Sequence, residues 1–329
     1  MLKVGLVGLG GISKVHLDAY RELECVKLVA AADVQGEDAP RYDVAKELGA
    51  KVYGSLGEML DAEELDMLDI CTPTPCHKEM VLEGLSRGLH VLSEKPMSRT
   101  YDDCKEIVAA AQASGKKYMV AHVVRFMKPY AYLRSVIESG ELGKPVHIIM
   151  RRLSPVPRWS YRDWLVDTAQ SGGVPLDLSI HDLDFVYSVF GEPRDVRATY
   201  RSYREKGGFG LNDYICSELI YEDMSVSVTG AQYNADPPFA AEFSAFFENG
   251  FIELKGGKLY RCGEEVVLEE TVKSEATGIN ISSSSAYTDE IAYFAGCIER
   301  DEAPVFVTTE SSAGSVKLVE RLLAAAVKI

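Results

Sequence analysis

Short apolar runs alternate with stretches of helical period through the first 122 residues. Lys3 to Val7 is such a run. It is followed at once by Gly8-Leu9-Gly10-Gly11-Ile12-Ser13, and then by Ser13 to Leu23, where Val15, Ala19 and Leu23 share one helical side. Val26 to Ala32, Met67 to Cys71, Leu89 to Leu92 and Lys117 to His122 repeat the apolar theme. Helices are predicted between them. Pro40 fits the first turn of one that runs to Leu48 and is closed by Gly49. Ser55 with Glu58 reads as a capping box opening a second. Others cover Cys76 to Arg87, ended by Gly88, and Tyr101 to Ser114. Strands and helices in strict alternation predict a doubly wound parallel sheet.

Near Arg125 the period changes. A helix from Tyr130 to Ser139 leads into a strand from Val146 to Leu153. Val196 to Tyr203, Tyr214 to Tyr221, Ser225 to Ala231 and Glu242 to Phe247 then read as strands with no helices among them. Asn249-Gly250 is a hairpin signal. Such runs predict a mostly antiparallel sheet. Gly278 to Ser285, with its consecutive serines, reads as a loop, and helices near Asp289 to Ile298 and Thr309 to Val327 close the chain. The expected fold is therefore α/β plus α+β: a Rossmann-type domain over 1–122 and an α+β domain built on an open sheet over 123–329.

Composition narrows the partners. A length of 329 residues suits two domains. The net charge of −15 argues against nucleic acid or an anionic membrane as partner. Seven cysteines without Cys-x-x-Cys spacing suit reduced thiols in the cytoplasm. The apolar start, Met1 to Ile12, has one lysine and runs straight into the glycine motif, unlike a signal peptide. No apolar run approaches the roughly 18 residues needed to span a bilayer.

Four stretches carry chemistry. Strand, glycine turn and helix form the context in which a Gly-x-Gly motif cradles a pyrophosphate. Gly8 makes the turn, Gly10 admits the phosphate, and Ser13 stands where a third glycine is usual. Asp33 lies twenty residues past Ser13, the offset of an acid that binds the adenine ribose; no arginine follows it, which favours NAD over NADP. The plainer reading is an acid that merely ends a strand. The run from Leu89 ends abruptly in Glu94-Lys95-Pro96, polar groups delivered where open α/β sheets bind ligands; the alternative is a surface pair in a loop. After Gly172-Gly173, Asp177 and His181 are four apart and would share one helix face. A histidine there suits proton abstraction from an alcohol. A buried polar pair is the alternative, and a metal held by His181, Asp182 and Asp184 is disfavoured because those three do not share a face. Arg125, Arg151, Arg152 and Arg158, with Trp159 and Trp164, lie near the domain junction. They could serve a polyol, phosphate or carboxylate, or be solvated charge and core aromatics.

Together these stretches resemble the glucose–fructose oxidoreductase/inositol dehydrogenase/rhizopine catabolism (Gfo/Idh/MocA) family over nearly the whole chain. The carrying residues are Gly8-Leu9-Gly10-Gly11-Ile12, Thr72-Pro73-Thr74 with His77, Glu94-Lys95-Pro96, and Gly172-Gly173 with Asp177 and His181. The family pattern often has asparagine where Thr74 stands and a small residue where Pro175 stands. The resemblance implies a nicotinamide between the two domains, with Gly8, Gly10, Gly11, Ile12, Asp33, Thr72, Pro73, His77, Glu94 and Lys95 at the cofactor. It implies Glu94 on the nicotinamide ribose and Lys95, Asp177 and His181 as the catalytic set. Arg125, Arg152 and Trp164 are candidate substrate contacts. The expected activity is NAD-dependent interconversion of a secondary alcohol and ketone on a sugar or cyclitol, in a homodimer or homotetramer. A redox-assisted glycosidase and a non-catalytic nucleotide sensor are the rival expectations.

Overall fold

In the computed structural model, residues 1–202, 213–235, 237–268 and 285–329 are described. They divide into two compact units, Met1–Val123 with Val272–Ala313, and Val124–Thr271 with Gly314–Ile329.

The first unit is a six-stranded parallel sheet. Its elements run β1 (Leu2–Val7), α1 (Ser13–Glu22), β2 (Val26–Ala32), α2 (Tyr42–Glu47), β3 (Lys51–Tyr53), α3 (Leu56–Ala62), β4 (Met67–Ile70), α4 (His77–Ser86), β5 (His90–Glu94), α5 (Tyr101–Ser114) and β6 (Tyr118–Ala121). The spatial order is β3-β2-β1-β4-β5-β6. Strand order reverses between β1 and β4, the place where doubly wound sheets open a crevice for ligands. β4 and β6 are buried along their whole length and β5 over all but His90, which is why they read as unbroken apolar runs, while the edge strand β3 is not buried. Local signals act as expected. Ser55 Oγ accepts from Glu58 N at 3.3 Å, although the Glu58 carboxylate reaches back to Gly54 N rather than to Ser55. Thr100 caps α5 through Asp103 N, and Gly115 ends it with φ +66°.

The second unit holds α6 (Lys128–Ser139), β7 (Pro145–Pro155), α7 (Thr168–Ser171), α8 (Gly173–Asp177), α9 (Ile180–Phe190), β8 (Asp195–Arg201), β9 (Tyr214–Ile220), β10 (Ser225–Tyr233), β11 (Ala240–Phe247), β12 (Gly250–Lys255), β13 (Lys258–Arg261) and β14 (Glu264–Val266). The chain then forms α10 (Ser285–Glu299), α11 (Thr309–Ala325) and β15 (Ala326–Lys328). The nine strands order as β14-β13-β12-β11-β7-β10-β9-β8-β15. Most pairs are antiparallel, as expected. However, β10 runs parallel to β7, and β15 parallel to β8. The turn joining β11 to β12 is Glu248-Asn249, one residue before the expected Asn249-Gly250, because Gly250 already pairs with Phe247 as the first residue of β12.

Two expectations change, and two fall outside the described residues. From the sequence, all residues after 122 belong together, yet α10 groups with the first unit. Its apolar face, Ala286, Tyr287, Ile291, Phe294 and Ala295, is buried, and Tyr287 lies 5.9 Å from the His16 ring on α1. The buried face of α1 is Ser13, His16, Leu17, Ala19 and Tyr20, not the side of Val15 and Leu23. Two polar rings lie on that face, so a count of apolar positions misplaces it. Lastly, the loop expected at Gly278 to Ser285 lies outside the described residues except Ser285, which opens α10. Tyr203, the expected end of β8, is outside them as well.

Candidate functional site

The glycine turn is shaped by its surroundings. Gly8 has φ +95°, and a Cβ there would lie 2.7 Å from the Cys71 carbonyl oxygen. Only glycine fits both the backbone and the space. A Cβ on Gly10, by contrast, would meet no protein atom within 4 Å. Protein packing does not demand that glycine, so room for a ligand is the reason that fits. Ser13, at the third motif position, is fully buried and donates from Oγ to Gly10 O at 2.8 Å. No side chain caps α1 at Ile12; Lys14 N and Val15 N bond Gly11 O and Ile12 O at 3.3 and 3.2 Å, and the positive end of the helix faces the glycine turn, where an anion is favoured.

Asp33 follows β2. Its Oδ2 accepts from Leu9 N at 2.7 Å and its Oδ1 from Gln35 N at 2.8 Å. The carboxylate is thus anchored to the glycine loop, while each oxygen keeps lone-pair capacity for a ribose diol. An uncapped helix start, an open Gly10 and an anchored acid together fit a dinucleotide without a 2′-phosphate.

At the far side of the switch point, β5 ends in Glu94, which is 5% exposed. One carboxylate oxygen accepts from Lys95 N at 3.0 Å. The other lies 3.1 Å from His16 Nε2, and His16 Nδ1 lies 2.8 Å from Asp69 Oδ2. Tyr20 donates to the same Asp69 oxygen at 2.7 Å. His16, Glu94 and Asp69 were not all visible as a set in the sequence. The available signal was a fully buried acid, Asp69, in a central strand, which must be paired. Burial pushes the His16 pKa down, but the Asp69 carboxylate and Cys71 more than reverse this, and it ends well above its ordinary value. His16, Asp69 and Cys71 are the one set of metal-ligating atoms brought together among the described residues. Burial and then Asp69 push the Cys71 thiol up to about 12, so this is a proton-holding cluster rather than a thiolate site.

His77, expected at the cofactor, is buried with its ring between two backbone carbonyls, Pro96 O at 2.8 Å from Nδ1 and Thr72 O at 2.9 Å from Nε2. Each nitrogen lies against a carbonyl oxygen, to one of which the neutral ring donates, so the ring sits wedged between the Thr72-Pro73 loop and Lys95-Pro96. Thr72, Pro73 and Lys95 themselves are half-buried at those strand ends.

In the second unit, Asp177 and His181 are not on one helix. Asp177 ends α8 and His181 lies in the first turn of α9. Between them the backbone opens into a wide turn, in which Ser179 N bonds Val174 O at 2.8 Å, five residues back. Gly230 on β10 makes room for this break, since a Cβ there would come within 2.0 Å of Ser179 Oγ. Both candidates are half-buried.

The arginines differ in their partners. Arg125 is 2% exposed and grips Asp184 with two bonds of 2.8 and 2.6 Å, and Ser315 donates to the same carboxylate. Arg152 is 3% exposed and holds Asp182 with Tyr130. These are core ion pairs rather than solvated charge, because a buried guanidinium requires its carboxylate. Asp182 and Asp184 are thereby spent on arginines as well. Arg151 pairs with Glu242 on the strand surface, and Arg158 donates to Asn234. Trp164 is half-buried.

Comparison with known proteins bears on the family and the fold. The family model described as "Oxidoreductase family, NAD-binding Rossmann fold" matches residues 2–122, and the Gfo/Idh/MocA C-terminal domain model matches 130–253. An uncharacterised oxidoreductase of Streptococcus pneumoniae is 28% identical over 82% of this chain and 66% of its own length. Inositol 2-dehydrogenase of Ralstonia nicotianae is 31% identical over 58% of this chain and 55% of its own. The chain thus spans about half to two thirds of the length of such curated relatives. A scyllo-inositol dehydrogenase from Lactobacillus casei, solved with NAD(H) and scyllo-inositol, shares the fold with a TM-score of 0.80 at 23% identity, over 99% of this chain and 97% of that one. Among the described residues no helix is long and apolar enough to cross a membrane. Matched in both of its parts, with an NAD-binding Rossmann domain first and the mixed-sheet domain after it, the chain belongs to the Gfo/Idh/MocA family.

Proposed function

We propose that this protein is an NAD-dependent dehydrogenase that interconverts a secondary alcohol and a ketone on a sugar, cyclitol or sugar derivative. The observation that carries this is the pair of strand ends flanking the switch point. Asp33 is anchored beneath an open glycine turn, and Glu94-Lys95 closes β5. Relatives named as inositol 2-dehydrogenase and glucose-6-phosphate 3-dehydrogenase support the substrate class.

Bound NAD supplies the hydride acceptor, and that chemistry is the cofactor's own. Asp33 binds the adenine ribose and repels a 2′-phosphate. The start of α1 faces the pyrophosphate. His181 takes the substrate hydroxyl proton, while Asp177 orients it and stabilises its charged form. Lys95 stabilises the developing alkoxide, an effect of about 3 kcal/mol by analogy with other oxyanion contacts. All seven cysteines are free thiols, which suits a reducing cytoplasm. The assembly we infer is a homodimer or homotetramer.

The test is formation of reduced nicotinamide, followed in the near-UV, across a panel of sugars, inositols and sugar acids with NAD and with NADP. The expected result is turnover with one polyol class and preference for NAD. Lys95→Ala is expected to cut kcat at least about 100-fold while NAD still binds. Near-normal turnover in that variant removes Lys95 from its role. Cofactor retained through purification without net turnover points instead to a redox-assisted glycosidase.

A further inference from the structure

His16 stands where three elements meet. It projects from α1, the helix opened by the glycine turn, and its ring reaches the ends of both β4 and β5. Each nitrogen faces a carboxylate oxygen. A neutral imidazole can donate to only one of them, and the other nitrogen would then present a lone pair to a lone pair. A doubly protonated ring satisfies both. Tyr20, Asp69, Cys71 and Glu94 are the titratable groups around it, with the Tyr287 ring of α10 alongside. The side chains of His16 and Asp69 are fully buried and that of Glu94 is 7% exposed. Glu94 ends β5 and also accepts from Lys95 N. Its carboxylate is therefore held from two sides, by its own chain and by the imidazole.

We propose that His16 is a positioning residue that fixes the Glu94 carboxylate and so sets the protein's affinity for the nicotinamide half of the dinucleotide. This rests on the reading of Glu94 as a ligand of the nicotinamide ribose. Asp69 and Tyr20 act behind His16. The Asp69 carboxylate holds Nδ1, and the Tyr20 hydroxyl holds the carboxylate, so the ring can neither flip nor withdraw. The adenine half depends on different contacts, those of Asp33 with Leu9 and Gln35. The device thereby links the helix that faces the pyrophosphate to the strand that faces the nicotinamide.

Two amide variants of the full chain separate the two bonds. In His16→Asn the amide lies near the Nδ1 position and keeps the Asp69 bond. In His16→Gln it extends to the Nε2 position and keeps the Glu94 bond. Titration calorimetry with NAD and with ADP, alongside Glu94→Gln, reads the outcome. In His16→Asn the NAD Kd is expected to rise roughly tenfold or more, as loss of one charge-assisted bond implies, with ADP unchanged within about twofold. His16→Gln is expected to return NAD binding to within about threefold of the parent. Equal weakening of NAD and ADP, or equal behaviour of the two amides, would mean that His16 merely holds the helix, and overturns the proposal. If Glu94→Gln weakens NAD but His16→Asn does not, the proposal alone fails. If Glu94→Gln leaves NAD binding untouched, the reading of Glu94 fails, and the proposal with it.

Discussion

Two buried histidines in the first unit differ only in what their nitrogens face. His16 lies between carboxylates, and its pKa is raised. His77 lies between carbonyls, and burial lowers its pKa against the pull of those two bonds. The consequences for stability have opposite signs. His16 holds its proton more tightly folded than unfolded, so its contribution is complete below the ordinary value of 6.5 and fades as pH climbs toward the higher folded value. His77 holds its proton less tightly folded, so its contribution is complete above 6.5 and fades as pH falls toward the lower folded value. Denaturant unfolding across pH is expected to show a shallower alkaline decline in His16→Gln and a shallower acid decline in His77→Asn. A parallel shift of the whole curve in either variant would contradict this. Asp33 invites a second residue-level prediction. Asp33→Ala leaves Leu9 N and Gln35 N without their acceptor, a cost of about 1–3 kcal/mol, and removes the charge that repels a 2′-phosphate. The ratio of kcat/KM for NAD over NADP is expected to fall at least about tenfold. An unchanged ratio would show that another group reads the ribose.

At the level of elements, the two motif glycines separate fold from ligand. Gly8→Ala strains a backbone at φ +95° and drives a methyl group into the Cys71 carbonyl, so a loss of more than about 2 kcal/mol is expected. Gly10→Ala adds a methyl where no protein atom lies within 4 Å, so it is expected to gain about 0.4–1 kcal/mol while NAD binding weakens. Thermal unfolding and NAD titration of the two variants check this together; stability lost in Gly10→Ala would refute it. These glycines were legible because a strand and a helix flank them, and so were Asp33 at the end of β2, by its offset, and α3, by Ser55 and Glu58 at its start. What was not legible depended on partners distant in sequence. His16 and Tyr20 are buried because Asp69, some fifty residues on, waits for them, and apolar periodicity has no symbol for that. The break between α8 and α9 depends on Gly230 across the sheet. The core positions of Arg125 and Arg152 depend on Asp184 and Asp182. The short β13, β14 and β15 carry too little alternation to stand out alone.

For the molecule as a whole, charge and sheet geometry bear on assembly. A chain of net charge −15 repels its own copy, so association requires a surface on which that charge is absent. The outward rows of β7 and β11 offer one. Ile149 faces Ser244, Arg151 faces and pairs with Glu242, and Phe246 lies opposite His147. Ile149 and Phe246 are 42% and 39% exposed, Arg151 and Glu242 cancel each other, and the neighbouring Glu253 carboxylate accepts from Ser244 Oγ. A second copy laid on this face would bury both apolar side chains at a gain of the order of 25 cal/mol per Å². Light scattering on the purified chain is expected to give a dimer or tetramer, tighter at high salt because screening removes the repulsion between acidic copies. Ile149→Glu and Phe246→Glu are each expected to shift the mass to the monomer while leaving the far-UV spectrum unchanged, since both side chains point away from the core. A monomer at every salt concentration would show that the face is solvated as it stands. A dimer indifferent to both substitutions would place the contact on another surface.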